Sequence, residues 1–417
     1  MAATPGSHPQ SRRPQSPREL WDALRPDLAS PAGLLLVQDL DGVCMDLVLD
    51  PLQRRLEARY VLAARQLDGC FCVLTNGEHG SRRGVNPLVE RALGPDHDPA
   101  RDGLYLPGLA AGGVQLQDRF GTITTPGVQE AELAFLAALP AQMREALRAW
   151  LPGILPWLNG EALEHQVHLA VQDNPLSPTL NLHGLFACSA PHDRSGRPLA
   201  AALQEGGLAL MQELLAAASD SDLAGNFRLH LAPSVIGPTG EEELLRASPA
   251  GIGTTDVQCL LQGAVKEAGL LVLINEHIAR HHGHHPLGAD FNVRTAPRSH
   301  AALLALAEAH IPPALMPRVV GIGDTITSRP GAAPGQWERG GSDRGFLTLV
   351  QELGRHFDRP NRVVLVDSSG GEVQRPSMAS GDLAGLSDPD DPLQLDVLFP
   401  GGPAEYRSFF VELAAQA

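Results

Sequence analysis

The sequence predicts a doubly wound α/β fold, a Rossmann-like parallel sheet whose chain path is interrupted by a long insertion. Two apolar runs near the N-terminus, Leu34–Val37 and Phe71–Leu74, have the continuous hydrophobic pattern of parallel strands that are buried on both faces. A helical pattern over 51–67 separates them, and a third apolar run, Val319–Ile322, comes much later in the chain. Strands that alternate with helices in this way indicate a parallel sheet.

The same patterns divide the chain into four segments. Residues 1–18 are rich in Pro, Ser and Arg and are predicted to be a disordered arm. Regular α/β features predict one core in two parts, 19–125 and 286–417, and the residues between them, 126–285, are predicted to form an inserted domain. Within the insertion we expect helices at 128–150, 197–218 and 256–280 and strands at His165–Val171 and Phe227–Leu231.

Composition excludes several classes of protein. The formal net charge is −16 and the pI is about 5.4, whereas a nucleic-acid-binding protein usually presents a basic face. No stretch approaches the roughly 20 apolar residues of a membrane span. The N-terminus lacks the apolar middle of a signal peptide. We therefore expect a soluble cytoplasmic protein without a nucleic-acid or membrane partner.

Polar residues follow three of the predicted strands. Asp39 and Asp41 come directly after the first strand, Thr75 follows the second, and Asp324 follows the third. Residues two apart in extended backbone point the same way, and ligands of such sheets bind at the carboxyl ends of the strands. A few carboxylates, completed by water and substrate phosphate, are what Mg²⁺ prefers. An aspartate there could attack phosphorus while a second one acts as acid and base.

The segments Asp39–Val43, Thr75 and Gly323-Asp324 resemble motifs one, two and four of the haloacid-dehalogenase-like phosphatases. The resemblance implies a haloacid-dehalogenase-like core, with a large cap domain inserted after the second motif at 126–285. An Asp at the second acidic position of motif one is typical of the phosphatases of that superfamily.

The resemblance also implies roles for these residues. Asp39 would be the nucleophile and a ligand of Mg²⁺. Asp41 would be the general acid and base, and its backbone carbonyl would be a second ligand. Asp324 would be a third ligand, and the loop Thr75-Asn76-Gly77 would bind the phosphate.

Two positions of the family pattern are open in this sequence. The third motif is a Lys or Arg: Arg298 is favoured by its position before the last catalytic strand, and Lys266 is the rival because it is the only lysine in the chain. A second acid often follows the fourth motif within four residues, but Ser328 occupies that place. Asp343 could supply this acid to the metal if the loop before it folds back.

Longer segments around the three motifs resemble a subfamily that acts on a glycosylated glycerol phosphate. This resemblance implies a small phosphorylated sugar as substrate, functional pairing with the upstream synthase that makes it, and a role in compatible-solute synthesis under salt stress.

One alternative is a related sugar phosphatase for sucrose-, trehalose- or mannosylglycerate-type phosphates. A phosphotransferase or mutase on the same core usually carries a smaller cap between the first two motifs. This class is disfavoured because only 34 to 36 residues separate Asp41 and Asp39 from Thr75. Retention of both aspartates disfavours a non-catalytic sugar-phosphate-binding relative.

A histidine-rich stretch, His281–His285, allows a further interpretation. Imidazoles suit Zn²⁺ or Ni²⁺, but no cysteine lies near them in the sequence. We therefore favour an exposed or substrate-facing loop, whose polar groups are candidates for reading the sugar.

Overall fold

The structure is a computed structural model, and it describes residues 14–194, 197–219, 222–237, 240–249, 251–331 and 333–417. Most of the predicted arm, 1–13, lies outside the described residues. The last two residues of that predicted arm are helical, because α1 begins at Pro17. Ser16 caps this helix: its hydroxyl accepts from the backbone of Glu19, and the Glu19 carboxylate accepts from the backbone of Ser16.

The helices are α1 Pro17–Leu28, α2 Ala58–Gln66, α3 Val85–Leu93, α4 Pro99–Asp102, α5 Glu130–Ile154, α6 Gly160–Ala170, α7 His183–Ser189, α8 Pro198–Ser219, α9 Lys266–His282, α10 His300–His310, α11 Arg344–His356 and α12 Gly402–Ala414. The strands are β1 Leu34–Gln38, β2 Phe71–Leu74, β3 Gly108–Ala110, β4 Gln115–Gln117, β5 Ile123–Thr124, β6 Val171–Gln172, β7 Thr179–Asn181, β8 Phe227–Ala232, β9 Ser234–Ile236, β10 Glu242–Leu244, β11 Asp256–Leu261, β12 Arg318–Gly323, β13 Thr327–Pro330, β14 Trp337–Gly340, β15 Arg362–Val366 and β16 Val397–Phe399.

The large sheet has the strand order β16-β15-β12-β1-β2-β3-β4-β5. The strands from β16 to β3 pair in parallel, and β4 and β5 add an antiparallel edge. The chain winds outward in both directions from β1, which lies between β12 and β2. This topology confirms the predicted doubly wound fold, and it brings the carboxyl ends of β1, β2 and β12 to one edge.

Strand β1 is buried on both faces, as its apolar run predicts. Leu35 and Val37 belong to one hydrophobic core, and Leu34 and Leu36 belong to the other. Helices α9 and α11 pack on the first face of the sheet, and α2 and α12 lie on the second. Each fully buried leucine contributes roughly 1.5–3 kcal/mol relative to exposure.

The cap contains a second, antiparallel sheet with the order β6-β7-β11-β8. Along β11 the side chains alternate. Val257 and Cys259 are buried in the hydrophobic core that includes residues of α5 and α8, whereas Asp256 and Gln258 are partly exposed on the opposite face. An antiparallel sheet can keep one polar face in this way. That polar face looks toward the carboxyl edge of the large sheet, where residues of both sheets line one cavity.

Two local predictions within the insertion are wrong. The predicted strand His165–Val171 is mostly part of α6, because Leu163, Val167 and Ala170 recur at the helical spacing. The predicted helix over 256–280 is instead strand β11 followed by α9.

The packing of α9 bears on the range predicted for the cap. Helix α9 packs on β1, β2 and β3 of the large sheet and beside α11, so it belongs to the core. Helix α9 thus packs with the core although it lies within 126–285, the range predicted for the inserted domain. Within the described residues no helix has the length and apolar character needed to span a bilayer.

Candidate active site

The loop after β1 carries Asp39 and Asp41 at the centre of the sheet edge. Asp39 is 7% exposed, and its backbone amide donates to the carbonyl of Ile322 in the neighbouring strand β12 at 2.9 Å. Its Oδ1 accepts from the amide of Leu40 at 2.7 Å, which fixes the carboxylate and leaves Oδ2 to other partners. The loop turns at Gly42, which has a φ of +78° that favours glycine.

Lys266 reaches Asp39 from the first turn of α9. Its Nζ donates to Asp39 Oδ2 at 2.5 Å and to Asp343 Oδ1 at 2.7 Å, and the side chain is 2% exposed. Burial alone would lower the pKa of Lys266, but the charges of Asp343 and Asp39 more than offset this, so its pKa lies above the ordinary value. The ammonium is therefore charged at neutral pH.

The loop after Asp324 folds back and returns at Asp343, directly before α11. Asp343 Oδ2 accepts from the backbone amides of Asp324 and Thr325, at 2.9 Å in each case. One carboxylate oxygen from each of Asp39, Asp324 and Asp343 lies within 4.8 Å of the others. The predicted neighbourhood of these three acids is therefore present in the structure.

These three carboxylates fit a cation with oxygen ligands. Burial, together with Asp343 and Asp39, raises the pKa of Asp324 well above its ordinary value. Burial also raises the pKa of Asp39 to about 6, although Lys266 acts against it. Asp324 Oδ2 is buried and has no hydrogen-bond partner among the described residues. The positive charge of one ammonium group cannot balance the negative charges of three buried carboxylates. A set of ligands made only of oxygen atoms suits Mg²⁺.

The loop after β2 places a hydroxyl and amides beside this cluster. Thr75 is 2% exposed, its amide donates to the carbonyl of Leu109, and its Oγ1 accepts from the amide of Gly77 at 3.2 Å. Asn76 Nδ2 lies 3.0 Å from Nε2 of His230 on the cap strand β8. The three predicted phosphate-binding residues therefore line the same cavity as Asp39.

Asp41 forms a salt bridge with Arg54 and is not one of the three clustered carboxylates. Arg54 Nη1 donates to Asp41 Oδ2 at 2.7 Å, and Nη2 of the same arginine donates to the carbonyl of Arg83. The Asp41 side chain is 32% exposed and lines the cavity. It is thus the more accessible of the two motif-one carboxylates, and Arg54 orients it.

Two groups of predicted residues are not brought to this cavity. Arg298, the favoured third-motif residue, is exposed in the turn before α10 and is not among the described residues that line it. The stretch His281–His285 ends α9 at a distance from the cavity lining, with His281 Nε2 2.9 Å from the carbonyl of Gly69 and His285 3.2 Å from Glu276. These positions do not support the expectation that the stretch binds the sugar of the substrate.

The polar face of the cap sheet covers the cavity from the other side. Gln172 of β6, Asn181 of β7 and Asp256 and Gln258 of β11 all line it. Asn181 Nδ2 donates to Asp256 Oδ1 at 2.8 Å, and Oε1 of Gln258 is buried without a partner among the described residues. Fixed amide and carboxylate groups of this kind can bind hydroxyl groups.

Sequence reasoning missed Glu78, which links the loop after β2 to the cap. Its Oε1 accepts from the amides of Leu176 and Ser177 at 2.6 and 2.9 Å and from the Ser177 hydroxyl at 3.1 Å. Burial raises the pKa of Glu78. Its position directly after Gly77 was the one feature of the sequence that indicated a role at the site. Its partners lie in the cap, and the sequence around Glu78 does not indicate them.

Two comparisons by sequence agree on one family. The sequence model of the family described as glucosylglycerol-phosphate phosphatase (Salt_tol_Pase) matches residues 33–414. The chain is also similar to the glucosylglycerol-phosphate phosphatase of Synechocystis sp., with 44% identity over 399 residues that cover 93% of this chain and 94% of the relative.

Solved structures are more distant. The C-terminal domain of C. albicans trehalose-6-phosphate phosphatase overlaps 98% of this chain and 99% of its own, with 10% identity and a TM-score of 0.43. The trehalose-6-phosphate phosphatase of Aspergillus fumigatus overlaps 94% and 97%, with 10% identity and a TM-score of 0.37. The sequence matches, which span nearly the whole chain, decide the family. The chain belongs to the family of glucosylglycerol-phosphate phosphatases, which are phosphoric monoester hydrolases.

Proposed function

We propose that this protein hydrolyses 2-O-glucosylglycerol 3-phosphate to glucosylglycerol and phosphate through an aspartyl-phosphate intermediate on Asp39, with Mg²⁺ as cofactor. In the cell it would act after the synthase that makes this phosphate, in compatible-solute synthesis under salt stress. The observation that carries the proposal is the contact of Lys266 with both Asp39 and Asp343, beside Asp324 and under the polar face of the cap sheet.

The first chemical step needs an ionised nucleophile in a fixed orientation. Asp39 Oδ2, which faces Lys266, would attack phosphorus while the bond from phosphorus to the glycerol oxygen breaks. The leaving alkoxide takes its proton from Asp41, which therefore has to be protonated when this step begins. Lys266 keeps the charged form of Asp39 favourable, and Thr75 would donate a hydrogen bond to a phosphoryl oxygen.

The second step returns the enzyme to its starting state. Asp41, now ionised, accepts a proton from a water molecule, and that water attacks the phosphorus of the acyl phosphate. The bond from phosphorus to the Asp39 oxygen breaks, so free phosphate leaves and the carboxylate is restored. The Asp41 side chain is 32% exposed and lines the cavity, so it can reach both the leaving alkoxide and an attacking water.

Asp39, Asp324 and Asp343, with the backbone carbonyl of Asp41, would hold the metal ion. A bound Mg²⁺ would neutralise charge on the phosphoryl group and so make attack by an anionic carboxylate possible. The structural support is the buried oxygen of Asp324 without a hydrogen-bond partner and the excess of buried carboxylates over ammonium groups.

The specific substrate is proposed on the relationship to the Synechocystis enzyme, which extends over 93% of the chain. The polar cap face gives this a physical basis, because a site that hydrogen-bonds a substrate hydroxyl can reject analogues that lack it by roughly 10⁴-fold. Asn181, Asp256 and Gln258 are the cap residues we assign to the glucosyl and glycerol hydroxyls.

The test compares kcat/KM for 2-O-glucosylglycerol 3-phosphate, sucrose 6-phosphate, trehalose 6-phosphate and glycerol 3-phosphate, measured as phosphate release with Mg²⁺ present. We expect the first to exceed each of the others by at least about 100-fold. Equal turnover of any other member of the panel contradicts the specific substrate but leaves a phosphatase acting through Asp39. No phosphate release from any of them contradicts the proposed function as a whole.

A further inference from the structure

Arg375 differs from the other arginines that line the cavity. Arg54 forms a salt bridge with Asp41, and Arg83 forms one with Asp173. Arg375 lines the same cavity but has no salt-bridge partner within the described part of the chain. A positive charge is therefore presented to the cavity without a carboxylate that neutralises it directly.

The surroundings of Arg375 explain why such a charge is unusual. Its Nε is buried and has no hydrogen-bond partner among the residues that the structure describes. Burial lowers the pKa of Arg375, although Asp324 of the core and Asp256 of the cap favour its charged form. Arg375 as a whole is partly buried. Leaving a partly buried guanidinium without a directly bound anion is unfavourable, so a ligand that supplies the anion would be stabilised here.

The chain holds Arg375 in place from both sides. It lies in the irregular segment 367–396 between β15 and β16, which belongs to the core and not to the cap. Before it, the amide of Glu372 donates to the carbonyl of Leu47 at 2.8 Å. After it, Asp367 Oδ2 accepts from the hydroxyl of Ser377 at 2.9 Å and from the amide of Met378 at 2.8 Å. The arginine is thus presented from an anchored loop.

We propose that Arg375 binds the phosphoryl group of the substrate. It would complete a phosphate-binding set with Thr75 and Lys266, drawn from three separate parts of the core. A guanidinium offers two parallel donors that match two oxygens of a phosphate, which suits a dianion better than a neutral hydroxyl. This inference rests on the proposed function only in that the ligand is a phosphate monoester; the identity of its sugar does not enter.

Orthovanadate, a mimic of the phosphoryl group in transfer, is the probe that tests this. Its binding to the Mg²⁺-loaded protein is measured by titration calorimetry for the wild type, Arg375→Gln, Arg375→Lys and the matched control Gln374→Ala. Gln374 is the exposed neighbour of Arg375. We expect Kd to rise about 10- to 100-fold in Arg375→Gln and less in Arg375→Lys. Gln374→Ala should bind within about twofold of the wild type.

One result would overturn the inference: a Kd of Arg375→Gln within about twofold of the wild type, with melting curves showing that the variant is folded. If the KM for the sugar phosphate is raised in the same variant, Arg375 contacts the sugar instead. Failure of the substrate panel leaves this titration unaffected, so the two proposals fail separately.

Discussion

Lys266 and Asp39 are 227 residues apart in the sequence, yet Nζ and Oδ2 of the pair are 2.5 Å apart at the carboxyl edge of the large sheet. The same ammonium donates to Asp343 at 2.7 Å. A lysine suits this place because its charge is compact and its donors can be directed to two carboxylates at once, whereas a guanidinium is planar and larger. This gives a physical reason why the only lysine of the chain is found here.

The first prediction concerns this lysine. Lys266→Met removes the positive charge that offsets the repulsion between the Asp39 and Asp343 carboxylates. We therefore expect kcat/KM to fall by at least about 10³-fold. Lys266→Arg should also lose most activity, because the larger group does not fit between Asp39 and Asp343. Arg298→Ala is the control, and we expect wild-type kinetics because Arg298 is exposed and outside the cavity. Loss of activity in Arg298→Ala with full activity in Lys266→Arg would reverse the assignment.

The second prediction is that Asp39→Asn abolishes turnover and leaves the fold intact. An amide cannot attack phosphorus, and loss of one member of a catalytic set typically costs several orders of magnitude in rate. The melting temperature should not fall much, because the variant removes one of several mutually repelling buried carboxylates. Phosphate release above about one per cent of the wild-type rate would show that Asp39 is not the nucleophile.

The third prediction is a requirement for Mg²⁺ that Ca²⁺ does not meet. Ca²⁺ takes more ligands in a looser shell and would misplace the carboxylate that attacks. Mg²⁺ should also raise the melting temperature of the wild type, since a ligand of the folded state at about 100 times its Kd stabilises it by about 2.7 kcal/mol. Asp324→Asn should weaken that thermal effect. Full activity after exhaustive treatment with EDTA would contradict the prediction.

Much of the core was predictable from the sequence, because its strands are buried on both faces and read as continuous apolar runs. Leu34–Gln38, Phe71–Leu74 and Arg318–Gly323 all form strands close to their predicted bounds. Their carboxyl ends meet because parallel strands share an edge, which is why Asp39, Thr75 and Asp324 could be grouped in advance.

The position of Lys266 could not be obtained in this way. The run from 256 to 280 contains a strand and a helix, and both are apolar enough to be taken for one helix. Only tertiary packing of α9 against β1 and β2 shows that its first residue points to the sheet edge. Arg298 was favoured by its position before the last catalytic strand, but sequence spacing does not show which loop turns toward the cavity. The partners of Glu78 and His230 were missed for the same reason, since each contact joins the core to the cap.

The fourth prediction tests how tightly the loop after β1 encloses the acidic cluster. A Cβ at Gly42 would lie 2.1 Å from Oδ2 of Asp324, and the backbone there has a φ of +78°. Gly42→Ala should therefore displace Asp324 and reduce both activity and Mg²⁺ affinity by at least about 10-fold. Gly94→Ala is the matched control, because Gly94 has a φ of +69° but a Cβ there meets nothing within 4 Å. It should cost about 1–3 kcal/mol of stability and keep its activity. Equal effects of the two variants would mean that backbone strain alone matters.

The fifth prediction concerns the contact between the cap and the loop Thr75-Asn76-Gly77. Glu242 accepts from His230 Nδ1 at 2.9 Å, and Nε2 of the same ring lies 3.0 Å from Asn76. Burial acts to raise the pKa of Glu242, but His230 and Arg228 prevail and hold that pKa at about 2.

Because the folded-state pKa of Glu242 is below the unfolded-state value of 4.5, its stabilisation is fully present above about pH 4.5 and is lost as the pH falls toward 2. Glu242→Gln removes this contribution, so we expect the free energy of unfolding to fall by about 2–3 kcal/mol at pH 5. The difference from the wild type should shrink as the pH is lowered from 5 to 3. Denaturant titrations across this range measure it, with Glu243→Gln, an exposed neighbour on the same strand, as the control. A difference that stays constant with pH would show that the carboxylate of Glu242 contributes through packing rather than through its charge.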